Sequence, residues 1–78
     1  MWYVYILKSK NFKKSYVGSS DNPERRLLEH NSGKNTYTRR YKPWEILKTE
    51  SFETYIEARR KENFYKTGIG REELKKLF

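Results

Sequence analysis

The sequence of 78 residues contains no cysteine and no long apolar run. The absence of cysteine excludes a disulfide framework and a thiolate metal site. No segment approaches the roughly 18 apolar residues that a membrane-spanning helix requires. Residues 1–7 are too short and too aromatic a stretch for a signal peptide. We therefore expect a cytoplasmic protein that does not enter a membrane.

The chain also has too few acidic residues to balance its cations. Eighteen Lys and Arg against ten Asp and Glu give a formal net charge of +8. Such an excess favours a polyanionic partner, because each phosphate contact releases condensed counterions. The alternative is a basic domain whose charges only keep it in solution. An anionic membrane surface is disfavoured, since no basic amphipathic helix with a wide apolar face is evident.

The length allows one compact domain, which we expect to cover residues 1–78, and not two. A core of this size is small, so that each buried side chain must contribute a large area. The aromatic residues, 17% of the chain, supply it, because each ring buries roughly 150–250 Å².

The first half of the chain predicts two strands and a helix. Residues 2–8 are aromatic and β-branched, and residues 15–18 form a second short run of this kind, which together indicate a hairpin. A helix is expected to follow, because Asn22 is a good N-cap and a proline comes directly after it. This helix should continue to about residue 32 and end at Gly33.

The second half predicts a basic loop over residues 34–42 and a third strand over residues 44–48. A capping-box pattern then precedes a second helix over residues 55–66, ended by Gly68. A short final helix is expected over residues 71–77. This order of elements predicts an α/β fold, with a three-stranded antiparallel sheet, two longer helices and a short C-terminal helix.

Two tyrosine-rich strands contain the first candidate site residues. Tyr3 and Tyr5 lie on one face of the first strand, and pairing in the hairpin brings Tyr5 near Tyr16. Core packing of the rings is the alternative interpretation. A functional tyrosine needs a cation or metal nearby, because a phenol with a pKa near ~10 transfers protons poorly at neutral pH.

Arg26 and His30 are four residues apart and therefore share one face of the first helix. We expect this face to differ from the buried side, which Leu27 and Leu28 would supply. A guanidinium in that position can neutralise the charge that develops on a phosphate, and His30 can donate a hydrogen bond or transfer a proton. A solvated charge for Arg26 and a structural hydrogen bond for His30 are the alternatives.

Glu62 is a carboxylate on the stripe of the second helix that should face the protein body. The other members of this stripe are Tyr55, Ala58 and Tyr65. Burying a carboxylate is costly unless it is paired or bound to a metal. An ion pair with Arg59 or Lys66 is one possibility, and an oxygen ligand to Mg²⁺ is the other.

In this order and spacing, the candidate residues resemble the GIY-YIG nuclease superfamily, and in particular its small standalone members. Residues 3–5 (Tyr-Val-Tyr) stand where the family has Gly-Ile-Tyr, and residues 16–18 (Tyr-Val-Gly) where it has Tyr-Ile-Gly. Arg26 coincides with the catalytic arginine, His30 with a frequent histidine, and Glu62 with the metal-binding glutamate. The likeness extends over nearly the whole chain.

The resemblance implies a divalent-metal-dependent endonuclease that acts on nucleic acid, on DNA rather than RNA, without a small-molecule cofactor. Glu62 would hold Mg²⁺ or Mn²⁺ and Arg26 would neutralise developing charge. Tyr5 and Tyr16 would position or deprotonate the attacking water, with assistance from His30. Many family members use an asparagine downstream of the glutamate, and none follows Asn63 here. The alternative is therefore a binding module that keeps the fold with weak or no cleavage.

The basic loop is the candidate surface for nucleic-acid binding. It alternates cations that can contact phosphates with rings that can stack on exposed bases. The residues expected to do so are Lys34, Tyr37, Arg39, Arg40, Tyr41 and Lys42. Since these groups suit backbone contact and stacking rather than readout in a groove, we expect little preference for base sequence.

Overall fold

The computed structural model describes residues 1–77 and confirms the predicted α/β fold. Three antiparallel strands form one sheet in the order β2-β1-β3. The strands are β1 (Trp2–Ser9), β2 (Ser15–Ser20) and β3 (Trp44–Phe52), and the helices are α1 (Pro23–Ser32), α2 (Tyr55–Phe64) and α3 (Gly68–Lys75), with a 3-10 helix at Thr38–Tyr41. The extent of the domain to Phe78 stays a prediction, since that residue lies outside the described part. Within residues 1–77, no helix is long and apolar enough to cross a membrane.

Strand β1 is the centre of the fold, because it is hydrogen-bonded on both sides and covered on both faces. Val4 and Ile6 belong to the cluster beneath α2 and α3. Tyr5 and Leu7 belong to a second cluster on the side of α1. Successive side chains of a strand point to opposite faces, so the sheet separates two small cores. This separation places β1 residues under both sets of helices.

The ends of the helices and strands agree in part with the predicted ones. Asn22 caps α1 by accepting a hydrogen bond from the amide of Arg25, and Gly33 ends the helix in the left-handed conformation. Strands β2 and β3 extend beyond their predicted ends, and α2 ends earlier, at Phe64. The prediction for Gly68 is wrong: this residue begins α3, which Thr67 caps. Part of the predicted basic loop is the 3-10 helix.

The predicted orientation of α1 is wrong in part. Leu27 packs against the second cluster as expected, but Leu28 is 71% exposed and His30 is buried. Leu27, His30 and Asn31 are three and four residues apart, which places them on one face and turns Leu28 away. Asn31 is half buried and exchanges two hydrogen bonds with the backbone of Trp44, and the partners of His30 are described below.

The predicted stripe of α2 is correct at three of its four positions. Ala58, Glu62 and Tyr65 are buried, but Tyr55 is 47% exposed. Tyr55 is the first residue of α2 and contacts Trp2 at the beginning of β1, with ring centroids 4.8 Å apart. Trp2 thus covers part of the Tyr55 ring, and solvent reaches the remainder of that ring.

Two glycines in the first turn of α3 provide a test of the packing between α2 and α3. A Cβ at Gly70 would collide with the Phe64 carbonyl, whereas a Cβ at Gly68 would meet nothing within 4 Å. We expect Gly70→Ala to lower the free energy of unfolding by roughly 1–3 kcal/mol, because an overpacked contact must be relieved. Gly68→Ala should leave it unchanged or raise it by about 0.5 kcal/mol, since Ala favours a helix. Urea denaturation measures both, and equal destabilisation would contradict the described junction.

Candidate active site

The Tyr5 hydroxyl is at the centre of a hydrogen-bonded network. The Tyr5 side chain is only 1% exposed, yet its hydroxyl lies 3.2 Å from Nε2 of His30 and accepts a 3.4 Å hydrogen bond from Nε of Arg26. Burial raises the pKa of the phenol, and the hydrogen bond and charge of Arg26 only partly offset this. Tyr5 therefore remains protonated and serves as a fixed hydroxyl.

Gly18 gives the Tyr5 ring its position. The two residues are direct cross-strand partners in β1 and β2. An ideal Cβ at Gly18 would collide with the Tyr5 hydroxyl and lie 2.6 Å from its Cζ atom. The glycine of the Tyr-Val-Gly run is thus required by the space that the Tyr5 phenol occupies.

His30 continues the network away from Tyr5. Its Nδ1 atom lies 2.9 Å from Oγ1 of Thr38, a residue of the 3-10 helix. Burial and the positive charge of Arg26 lower the pKa of His30, against a smaller opposing effect of Glu29. His30 is therefore neutral at neutral pH. Because Arg26 already donates to the phenol oxygen, the favoured tautomer has Tyr5 donating to Nε2 and Nδ1–H donating to Thr38.

Tyr16 lies beside this network. Its ring centroid is 6.3 Å from that of Tyr5 and 4.7 Å from that of His30. In the strand register Tyr16 pairs with Leu7, and Gly18 pairs with Tyr5, so the two tyrosines meet diagonally on one face of the sheet. The structure thus brings together Tyr5, Tyr16 and His30.

Arg26 forms the outer part of the network. Its Nη1 atom donates to Oε1 of Glu29, one turn along α1, and its Nε atom donates to Tyr5. The side chain remains partly exposed. Arg26, Glu29 and His30 line a small cavity of about 140 Å³ together with Lys34 and Asn35. Two cations therefore face one polar cavity next to the Tyr5 hydroxyl.

Glu62 lies on the opposite face of the sheet. Its Oε1 atom accepts a 2.6 Å hydrogen bond from Oγ of Ser19, the β2 residue that follows Gly18. Burial alone would raise the pKa of Glu62, but hydrogen bonds from Ser19 and Lys66, with the charges of Lys66 and Arg59, hold it below its ordinary value. The carboxylate is therefore ionised at neutral pH, and its charge acts on Tyr5 across the edge of the sheet.

The ion pairs that the sequence offered for Glu62 are both present. Nη1 of Arg59 lies 3.2 Å from Oε2, and Nζ of Lys66 lies 2.9 Å from the same atom. Both cationic side chains are about half exposed. Either cation can turn into solvent, but the buried Glu62 carboxylate would then need another positive charge in its place.

The donor set around Glu62 fits a hard divalent cation. Mg²⁺ typically binds one or two carboxylates and takes its remaining oxygens from water and phosphate. Glu62 supplies an ionised, nearly buried carboxylate, and the Ser19 hydroxyl is a second oxygen beside it. Among residues 1–77 no group of three or more His, Cys, Asp or Glu could hold a metal. A cation at Glu62 would therefore depend on water and substrate oxygens.

The predicted nucleic-acid-binding residues lie between α1 and β3, in and around the 3-10 helix. Lys34, Tyr37, Arg39, Arg40 and Lys42 are exposed, and Tyr41 is half buried. Tyr37 lies next to Tyr16, with ring centroids 6.5 Å apart. The basic loop is thus adjacent to the candidate active site.

The sequence did not indicate Thr38 or Ser19 as functional residues. Thr38 is fully buried; its hydroxyl contacts His30, and its carbonyl accepts a 2.8 Å hydrogen bond from Nε1 of Trp44. It lies in a segment without helical or strand period, so that no local pattern could reveal its partner. Ser19 could have been predicted from strand alternation. It follows Gly18 in the strand, so its side chain points to the other face of the sheet, toward α2.

Comparison with known proteins shows the family and the fold of the chain. The model of the GIY-YIG catalytic domain matches residues 1–75. A UPF0213 protein of Staphylococcus haemolyticus is 37% identical over 76 residues, which cover 96% of this chain and 92% of that protein. The solution NMR structure of the UPF0213 protein BH0048 from Bacillus halodurans is similar with a TM-score of 0.56 and 36% identity, covering 99% of this chain and 85% of the other.

The chain is also similar, over a shorter stretch, to part of a larger enzyme subunit. The structure-specific endonuclease subunit SLX1 of Phaeosphaeria nodorum is 45% identical over 47 residues, which cover 54% of this chain but only 13% of that protein. The match of the domain model extends over nearly all of the present sequence. The chain belongs to the GIY-YIG catalytic domain family.

Proposed function

We propose that this chain is a divalent-metal-dependent endonuclease that hydrolyses phosphodiester bonds in DNA with little preference for base sequence. One observation carries the proposal: a buried phenol, an arginine and a neutral histidine share one network, and an ionised glutamate lies just across the edge of the sheet. The family and the structure-specific endonuclease relative support the same class of reaction.

The residues divide the work of an in-line attack by water. Glu62 would hold the metal ion, which would supply stabilisation of the charge that develops on the phosphate. Arg26 binds a nonbridging oxygen from the cavity that it shares with Lys34, and its hydrogen bond strengthens as charge develops on the phosphate. Tyr5 and Tyr16 position the water, and Tyr5 takes part in the transfer of its proton.

Proton transfer uses the network around Tyr5. Its raised pKa disfavours a free phenolate. A relay avoids this species: the phenol oxygen accepts a proton from water while the phenol proton passes to Nε2 of His30. The neutral state of His30 makes this nitrogen available.

A second candidate function is a nucleic-acid-binding module without efficient cleavage. It is favoured by the surroundings of Glu62, since both carboxylate oxygens already accept hydrogen bonds from Arg59, and Lys66 and Ser19 add one each. If these bonds persist in solution with Mg²⁺, Glu62 would hold no metal. Cleavage of single-stranded, duplex and branched DNA and of RNA, with and without Mg²⁺ or Mn²⁺, separates the two functions.

A separate cleavage experiment tests the proposed lack of preference for base sequence. Sequencing the ends produced from a randomised duplex library should reveal no consensus at the cut sites. A sharp consensus of several base pairs would contradict the proposal, since direct readout requires side chains inserted in a groove.

Replacement of Glu62 tests the metal site. We expect Glu62→Gln to lower the single-turnover cleavage rate by at least about a thousandfold, because charge stabilisation by a bound metal is worth several kcal/mol. Nucleic-acid affinity should change only a few-fold. The fold should persist, since the amide can still accept from Ser19 and the freed cations reach solvent.

Glu57→Gln is the matched control, since Glu57 is an exposed carboxylate on the same helix that bonds only within its capping box. It should cleave like the wild type. Wild-type cleavage by Glu62→Gln would mean that Glu62 is only an ion-pair residue.

Arg26 should act on rate, and the loop arginines on affinity. We expect Arg26→Ala to lower the cleavage rate by roughly 100-fold or more, as the removal of one donor to developing charge typically does. Replacing Arg39 and Arg40 together should instead weaken binding and reduce the salt slope by roughly 0.7–0.9 for each phosphate that the variant no longer binds. Quenched single-turnover assays measure the effect on cleavage rate, and binding titrations over a salt series measure the effect on affinity.

Arg25→Ala is the control, because Arg25 neighbours Arg26 but is exposed and paired with Asp21. Equal effects of the Arg26 variant and the double loop variant on both rate and affinity would remove the distinction between site and surface.

A further inference from the structure

Aromatic rings continue from the candidate active site onto the surface. Tyr16 contacts Tyr37, and Tyr37 contacts Tyr41 with ring centroids 5.4 Å apart. Tyr41 in turn meets Phe12 edge-on at 5.5 Å. We call these four residues the ring row. Phe12 belongs to the turn between β1 and β2, so the row joins two segments that are distant in sequence.

Two rings of the row are open to solvent. Phe12 is 49% exposed and Tyr37 is 47% exposed, whereas Tyr16 and Tyr41 are half buried. The exposed faces of Phe12 and Tyr37 contribute little to the core and are free to contact a ligand.

Cations accompany the row on both sides. The turn supplies Lys10, Lys13 and Lys14, and Nζ of Lys14 lies 5.3 Å from the centre of the Tyr41 ring. The basic loop supplies its lysines and arginines on the other side. Neither residues 9–15 nor residues 34–42 contain an Asp or Glu. Within these two segments a polyanion therefore meets no like charge.

Hydrogen bonds fix the turn to the basic loop. Oγ of Ser9 donates to the Tyr41 carbonyl at 2.6 Å, and the Lys10 amide donates to the Pro43 carbonyl at 3.0 Å. The two segments thus hold one arrangement, and the row is preformed. A preformed surface loses less entropy on binding.

We propose that the ring row and the turn lysines form a track that binds single-stranded nucleic acid and leads it to Tyr16 and the active site. This assignment rests on the proposed nuclease function. Rings stack only on bases with a free face, and stacking tolerates any sequence. In a duplex the faces are covered by neighbouring bases, so the row favours an unpaired strand. Tyr16 belongs to both the row and the site, which places the strand beside the reacting groups.

Binding titrations in EDTA test the track without cleavage. An oligothymidylate and a duplex of the same length are titrated at one fixed salt concentration and followed by fluorescence anisotropy. We expect Phe12→Ala to weaken single-strand binding by at least about fivefold, the lower limit for removal of a stacking ring, and to change duplex binding by less than about twofold.

Tyr55→Ala is the matched control. Tyr55 is 47% exposed, almost as much as Phe12, but it lies at the opposite end of β1, against Trp2. Its replacement should change neither the affinity for the single strand nor the affinity for the duplex. Equal losses of affinity for both variants, or an equal loss of duplex and single-strand binding by Phe12→Ala, would overturn the track.

A second pair of variants reports stacking directly. Phe12→Trp should keep single-strand affinity, and oligothymidylate should quench the added indole fluorescence, whereas Tyr55→Trp should show no such quenching. Absence of quenching at saturating oligonucleotide would also overturn the track. Failure of the nuclease proposal is seen separately, as no cleavage by the wild type with Mg²⁺ or Mn²⁺ while the binding differences remain.

Discussion

The Tyr5 hydroxyl must be hydrogen-bonded, because a buried polar group without a partner costs free energy that a domain of this size can hardly spare. This requirement organises the site. It fixes His30 and Arg26 on the inner face of α1 and requires Gly18 opposite the ring. Through His30 it extends to Thr38 and hence to the basic loop. One buried oxygen thus connects the sheet, the first helix and the proposed binding surface.

The edge of the sheet at β2 explains how residues from two cores can act together. Gly18 and Ser19 are consecutive, so one faces Tyr5 and the other faces Glu62. The thickness of a single strand separates the network around the phenol from the ionised carboxylate. A phosphate at this edge would meet Arg26 from one side and a metal at Glu62 from the other. Such an arrangement needs only a small sheet and the two helices α1 and α2, one on each face.

Much of the fold could be predicted because its signals are local. The strand composition, the Asn22 cap and the Gly33 stop each depend on neighbouring residues. The burial of His30 could not be predicted in this way, since its partners come from β1 and from the 3-10 helix. The burial of Leu28 was predicted wrongly for the same reason. Its apolar character suggested burial, but the hydrogen-bonding partners of His30 and Asn31 decide which face of α1 turns inward. The candidate site residues were predicted from motif spacing and stay a prediction, and only the structure could show their contacts.

Tyr5→Phe tests whether the Tyr5 hydroxyl takes part in the reaction, because this substitution removes only that oxygen. We expect a single-turnover cleavage rate at least about 100-fold below wild type, as when proton transfer is abolished, with nucleic-acid affinity retained. Tyr65→Phe is the control, since it removes another phenol oxygen of a buried tyrosine, bonded to Glu50 at 2.6 Å on the far face of the sheet. Cleavage by Tyr5→Phe at the rate of the Tyr65→Phe control would show that the Tyr5 hydroxyl takes no part in the reaction.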